Sequence, residues 1–167
     1  MLRPVRLLAA LALAAAVAAA PVHASAGTKC GVVTARAAVT ATHLRMKLLG
    51  DSATPVDPRS VDQVICADFT RDGRTDVAVT IASGGTAGDI GVAVFRATPA
   101  GWRVALAFGG YKVGLVRAGG DLVGTQPIYR KNDANCCPTG GFDHTRYHWN
   151  GKRFVVARSW HTKSFHP

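Results

Sequence analysis

Hydrophobic positions along this chain change their rhythm at Val61. Before it, residues 28–49 carry Ala35, Ala38, Val39, Leu44, Met46, Leu48 and Leu49 in a stretch poor in glycine and proline that stops at Gly50, which predicts one helix. The following segment, Ser52 to Ser60 with Pro55 and Pro58, predicts a loop. From Val61 onward, short runs rich in Val, Ile, Phe and Tyr recur at a spacing of roughly eight to twelve residues, as strands joined by turns do. The expected strands cover residues 61–67, 76–82, 90–96, 102–108, 112–117, 122–129, 144–149 and 154–160. Between them lie turn signals: Asp72-Gly73, Ser83-Gly84-Gly85, Pro99-Ala100-Gly101, Gly109-Gly110, Gly119-Gly120-Asp121 and Asn150-Gly151. Such short links suit antiparallel pairs, since parallel neighbours need long crossovers. Asn150-Gly151 is the clearest hairpin, because both central positions of a type I′ turn need positive φ. The fold class is therefore mainly β (α+β): an antiparallel meander, or a small barrel or sandwich, with one N-terminal helix.

The start of the chain sets the compartment. Arg3 and Arg6 precede a Leu/Ala/Val run from Leu7 to Ala20, and Val22-His23-Ala24 supplies small residues for cleavage, so residues 1–24 read as a signal peptide. Fourteen apolar residues rising about 1.5 Å each fall short of roughly 30 Å of hydrocarbon, which argues against a membrane-spanning anchor. Thr28-Lys29 before Cys30 does not suit lipid attachment. The expected organisation is a signal (1–24), a helix and loop (25–60) and an antiparallel β-domain (61–167), the last two forming one unit in a secreted or envelope-associated protein without a transmembrane segment.

Charge narrows the partners. The chain has 20 Lys+Arg against 10 acidic residues, and loss of the signal would remove two arginines and no acid. An exported basic chain favours polyanions, here an anionic wall polymer, a lipid headgroup or an envelope protein. The basic residues are scattered, without a nucleic-acid motif, so specific nucleic-acid binding is not expected. Every acidic residue is Asp, which removes Glu-dependent mechanisms and the Glu that closes an EF-hand.

One stretch carries concentrated chemistry. In Asp68-Phe-Thr-Arg-Asp72-Gly73-Arg-Thr-Asp76, carboxylates stand at the first, fifth and ninth positions of a tight connection between two strands. Asp68, Asp72 and Asp76, the Thr70 hydroxyl and the Arg74 carbonyl form a candidate oxygen set for calcium, which takes six to eight such ligands. Arg71 and Arg74 oppose an ion there, and the same residues also suit a turn whose Asp side chains accept local backbone N–H groups. The segment VICADFTRDGRTDVAV resembles the calcium loops of FG-GAP or VCBS-type repeats, and that resemblance implies Asp68, Asp72 and Asp76 as ligands. Thr70 departs from the Asp or Asn usual there, and the absence of a second copy excludes a propeller of repeated blades.

Four cysteines, Cys30, Cys66, Cys136 and Cys137, in an exported chain imply disulfides, with three pairings open. The absence of Cys-x-x-Cys disfavours zinc. We favour Cys30–Cys66, whose members flank the helix and loop, with a vicinal, reducible Cys136–Cys137 bond. The segment PIYRKNDANCCPTGGFDHTRYHWNGKRFVV resembles the tail of small actinobacterial secreted proteins and lipoproteins of the LppP/LprE-like type, a resemblance that brings no assigned activity.

Alternation along residues 144–149 predicts His144, Arg146 and His148 on an exposed face and Tyr147 and Trp149 on a buried one. The same alternation places Phe154, Val156, Arg158 and Trp160 on a single face of the next strand. His144 and His148, with Asp143 or His161, are candidate metal ligands. No Gly-x-Ser-x-Gly, His-Glu-x-x-His or phosphate-cradling loop is present. The expected function is a non-enzymatic envelope binding or structural module, with a single calcium as an optional brace. The alternative is a small secreted hydrolase built on Asp143 and His144.

Overall fold

A computed structural model describes residues 29–165, so the expected signal lies outside the described residues. Helix α1, Val32–Thr42, is shorter than the apolar spacing predicts. His43 adopts a left-handed conformation (φ 47°), its N–H donates to the Thr40 carbonyl, and Leu44 N–H returns to Val39, closing the helix. Leu44 and Met46 are still buried, but from extended backbone: β1 (Arg45–Met46) pairs with β2 (Thr54–Pro55). Apolar spacing alone did not separate these two ways of reaching the same core. A single 3₁₀ turn, Pro58–Ser60, capped by the Asp57 carboxylate, leads into the sheets.

All eight expected strands are present, with ends shifted by no more than two residues. They form two four-stranded antiparallel meanders. The first orders β3 (Val61–Ala67), β4 (Asp76–Ala82), β5 (Asp89–Thr98) and β6 (Gly101–Gly109); the second orders β7 (Gly114–Ala118), β8 (Asp121–Pro127), β9 (Phe142–Trp149) and β10 (Phe154–Thr162). The barrel alternative is thereby set aside, because strands pair only with sequence neighbours within each sheet.

Two cores make this a three-layered unit. On one face of the first sheet, Val77, Val79, Ile81, Ala93 and Phe95 pack under Ala35, Ala38 and Val39 of α1. On the other, Ala78, Val92 and Val94 meet Leu115, Leu122, Trp149 and Phe154 of the second sheet. Strands β4 and β5 are thus apolar on both faces, and each fully buried Val, Ile or Phe contributes about 1.5–3 kcal/mol. Gly124 sits where the sheets close: a Cβ there would lie 2.9 Å from Phe108 Cζ, and its absence admits the Phe108–Tyr147 stack at 5.4 Å. Cys30 and Cys66 are disulfide-bonded with Cα atoms 6.2 Å apart, tying the start of α1 to β3 across 36 residues. Loop closure of that length stabilises by about 4 kcal/mol in the chain-entropy model.

The second sheet overturns one expectation. β9 and β10 fall out of step between Val156 and Arg158, so Ala157 is an extra residue and the alternation of β10 reverses there. Phe154 and Val156 lie on the side of Trp149 and Tyr147, whereas Arg158 and Trp160 lie opposite, with Arg146 and His144. His144 is consequently not exposed. Its ring is fully buried, stacked on Trp160 at 5.2 Å, with Nδ1 2.9 Å from the Thr125 hydroxyl and Nε2 2.8 Å from that of Thr162. Burial holds its pKa below the usual 6.5. A depressed histidine contributes stability that is complete above its unfolded value and is lost as pH falls through the folded one. Urea midpoints should therefore fall between pH 7 and 5 in the native protein, and His144→Gln should flatten that slope. An equal slope in both proteins would place the titration elsewhere.

Candidate functional site

The Asp loop joins β3 to β4 and is organised by its own backbone. Asp68 accepts the N–H groups of Asp72 (3.0 Å) and Gly73 (2.8 Å), and Asp72 accepts that of Arg74 (3.1 Å). Asp76 is wholly buried and receives Thr70 N–H at 2.8 Å and Ala97 N–H at 3.1 Å. Burial pushes its pKa above the ordinary carboxylate value, against the pull of those two amides. The Thr70 hydroxyl is buried and lies near Asp76 but outside hydrogen-bond geometry. Gly73 (φ 81°) and, less comfortably, Arg71 (φ 57°) supply the left-handed residues of the bend.

The expected calcium ligands do not converge as placed. Asp76 points inward to the β5 amide, while Asp72 receives the Arg96 guanidinium on one oxygen at 3.1 and 2.9 Å. Arg74 stands 3.9 Å from Asp72. Among the described residues, no three His, Cys, Asp or Glu side chains gather as a metal group. An entering ion would have to displace Arg96 and several amides. What the geometry supports is a clamp between sheets: Phe69 is fully buried in the intersheet core, and Arg96 lies between Asp72 and the Trp149 ring, 5.4 Å from its centroid.

A second cluster lies beside the loop. Arg71 reaches toward Asp121, at the start of β8, at 3.9 Å; Arg146 Nε donates to Asp121 at 2.7 Å, and His148 Nδ1 lies 2.8 Å away. The Asp121 side chain is 9% exposed, whereas those of Arg71, Arg146 and His148 are 61%, 45% and 35% exposed. Burial would raise the Asp121 pKa, but hydrogen bonds from His148 and Arg146 hold it below the usual range. One carboxylate thus serves three basic side chains and leaves a cationic surplus facing solvent. Lys152 and Arg153, exposed on the β9–β10 turn, lie at the same end of the sandwich, and Arg158 caps Trp160 on the same sheet face. Alternation already puts Arg146 and His148 on one face, but their convergence with Arg71 on Asp121 is not legible in the sequence, where Asp121 reads only as a turn residue.

The hydrolase pair fares differently. Asp143 and His144 are consecutive on β9 and point to opposite faces. Asp143 instead meets His161 at 3.0 Å, with both side chains about half exposed and on open surface. An open cleft of about 370 Å³ beside α1, bordered by Val39, His43, Arg45 and Pro58, contains no carboxylate. His144 and His148, proposed as joint metal ligands, are bound separately to threonines and to Asp121.

Fold and site together define a disulfide-braced domain of one helix on two stacked antiparallel sheets, with a basic patch where the Asp loop meets β8 and β9. No family model matches the chain, and neither a curated protein nor a solved structure does.

Proposed function

We propose that this protein is an exported, non-enzymatic envelope module that binds a phosphate-bearing wall polymer through the basic end of its sandwich. The observation that carries this reading is the convergence of Arg71, Arg146 and His148 on the single buried carboxylate of Asp121. Asp121 holds the guanidinium groups in place while their outer faces stay hydrated and available to bidentate phosphate contacts. Keeping Arg71, a non-glycine residue, in a left-handed conformation costs about 1 kcal/mol, and its reward is a guanidinium aimed at that cluster. Trp160, half-buried between Arg158 and His144, adds a ring against which a sugar or polyol unit can lie. A calcium ion at the Asp loop, whose carboxylates accept Arg96 and backbone amides here, stays a separate proposal on which polymer binding does not depend.

Poly(glycerol phosphate) chains are the probe, with neutral dextran as control. The native protein should bind the phosphodiester polymer with an affinity that falls steeply with salt, and not dextran. Arg71→Ala with Arg146→Ala should weaken binding about tenfold or more. Equal binding by the double variant, or equal binding of dextran, would remove the basic end from the function.

A further inference from the structure

We propose that Cys136–Cys137 is a thiol–disulfide exchange site that accepts two electrons from a dithiol partner. This rests on a different part of the molecule from the polymer reading and stands without it. The two disulfides of the chain differ in kind. Cys30–Cys66 spans 36 residues and joins an exposed Cys30 to a half-buried Cys66 packed against the core under α1, whereas Cys136 and Cys137 are neighbours, both exposed. A bond between adjacent residues closes no chain loop, so loop-closure entropy gives it no stabilising role.

The surrounding loop is held together without it. Residues 128–141 leave β8 and return to β9 through a neck closed by Ile128 N–H to the Gly141 carbonyl and Gly140 N–H to that of Ile128. Inside, the Asp133 carboxylate accepts the N–H groups of Arg130 and Thr139 and the Thr139 hydroxyl, each at 2.7 Å. The Asn135 carbonyl, one residue before Cys136, is fixed by the Tyr129 hydroxyl at 2.8 Å and by the Lys112 ammonium. Tyr129 is in turn packed edge-on against Tyr111 at 5.3 Å. Apart from the Cys137 N–H that donates to the Ala134 carbonyl at 2.9 Å, these contacts are made by residues other than the two cysteines, so the pair can cycle while the domain stays folded. The Lys112 ammonium also brings a positive charge to the backbone beside Cys136, favourable to a departing thiolate.

The reaction balances without another reagent. A partner thiolate attacks one sulfur, the Cys136–Cys137 bond breaks, and the released thiolate takes a proton from water. The second partner thiol then loses its proton and attacks the mixed disulfide. The partner leaves as a disulfide, oxidised by two electrons, and both cysteines remain as thiols. A dithiol partner is favoured because its second thiol resolves the mixed disulfide intramolecularly, whereas a monothiol needs a second molecule to do so and can meanwhile be expelled by the neighbouring cysteine.

The oxidised full chain is treated with dithiothreitol without denaturant, quenched with N-ethylmaleimide and mapped by peptide mass. Cys136 and Cys137 should label together, about tenfold or more faster than Cys30 and Cys66, with one dithiothreitol oxidised per chain and an unchanged circular dichroism spectrum. Glutathione at the same thiol concentration should label far less. Lys112→Met should slow the exchange and shift its rate–pH profile upward, and Lys112→Arg should restore both. Labelling of all four cysteines at one rate, labelling only on unfolding, or glutathione matching dithiothreitol would overturn the proposal.

Discussion

Asp76→Ala is expected to be among the most destabilising single changes in this domain, lowering unfolding free energy by about 3–5 kcal/mol, because two buried amides lose their acceptor. Thr70 N–H and Ala97 N–H both end on its carboxylate, one from within the Asp loop and one from β5. Asp76→Asn keeps one carbonyl oxygen and should lose less. The pH dependence separates these variants from a simple packing defect. Burial raises the Asp76 pKa above 3.8, so the folded state holds this proton more tightly than the unfolded chain. Native stability from this group is highest below the unfolded value and declines as pH rises through the folded one. The deficit of Asp76→Asn relative to the native protein should thus be largest near pH 4 and smaller at pH 7, as read from urea midpoints at both.

Trp149→Ala should cost a similar amount, about 3–5 kcal/mol, as a large ring is removed from a core that cannot fully collapse. Trp149 is 7% exposed, meets Phe154 edge-on at 5.3 Å and carries Arg96 on its face. At about 3–5 °C per kcal/mol for a domain of this size, the melting temperature should drop by roughly 10–20 °C. Trp160→Ala is the informative control. Trp160 is only half-buried, on the far side of the same sheet, so its loss should be the milder of the two and should expose His144. Equal losses at Trp149 and Trp160 would mean that the step in register at Ala157 does not divide the two rings between faces.

Strand positions were legible because alternation and turn residues act locally, and the Asn150-Gly151 hairpin follows from two residues alone. The stacking of one sheet on the other was harder to read, although a signal exists. The runs Asp76-Val-Ala-Val-Thr-Ile and Ile90-Gly-Val-Ala-Val-Phe lack polar alternation, as strands covered on both faces do. The reversal in β10 was invisible because an inserted residue keeps every side chain's identity and changes only its side. The pairing Cys30–Cys66 agrees with its expected role of tethering the helix segment. At the Asp loop, three regularly spaced carboxylates marked the segment as special, yet spacing does not reveal where each oxygen turns. That depended on Arg96 and Ala97, more than twenty residues further on. Asp121 drew its meaning from Arg146 and His148 across a strand pair, contacts that exist only once register is fixed.

The separation of the strands into two meanders has a bearing on how the chain reaches this state. Every hydrogen-bonded strand neighbour within a sheet is also a sequence neighbour, so each half can assemble through short loop closures alone. The halves are united by their shared apolar core, in which Phe69 and Trp149 are buried, and by the bridge from Asp72 through Arg96 to the Trp149 ring. The loop that carries the three regularly spaced carboxylates therefore does two structural jobs at once: it closes the β3–β4 hairpin and, through Phe69 and the Asp72–Arg96 bridge, presents that hairpin to the second sheet.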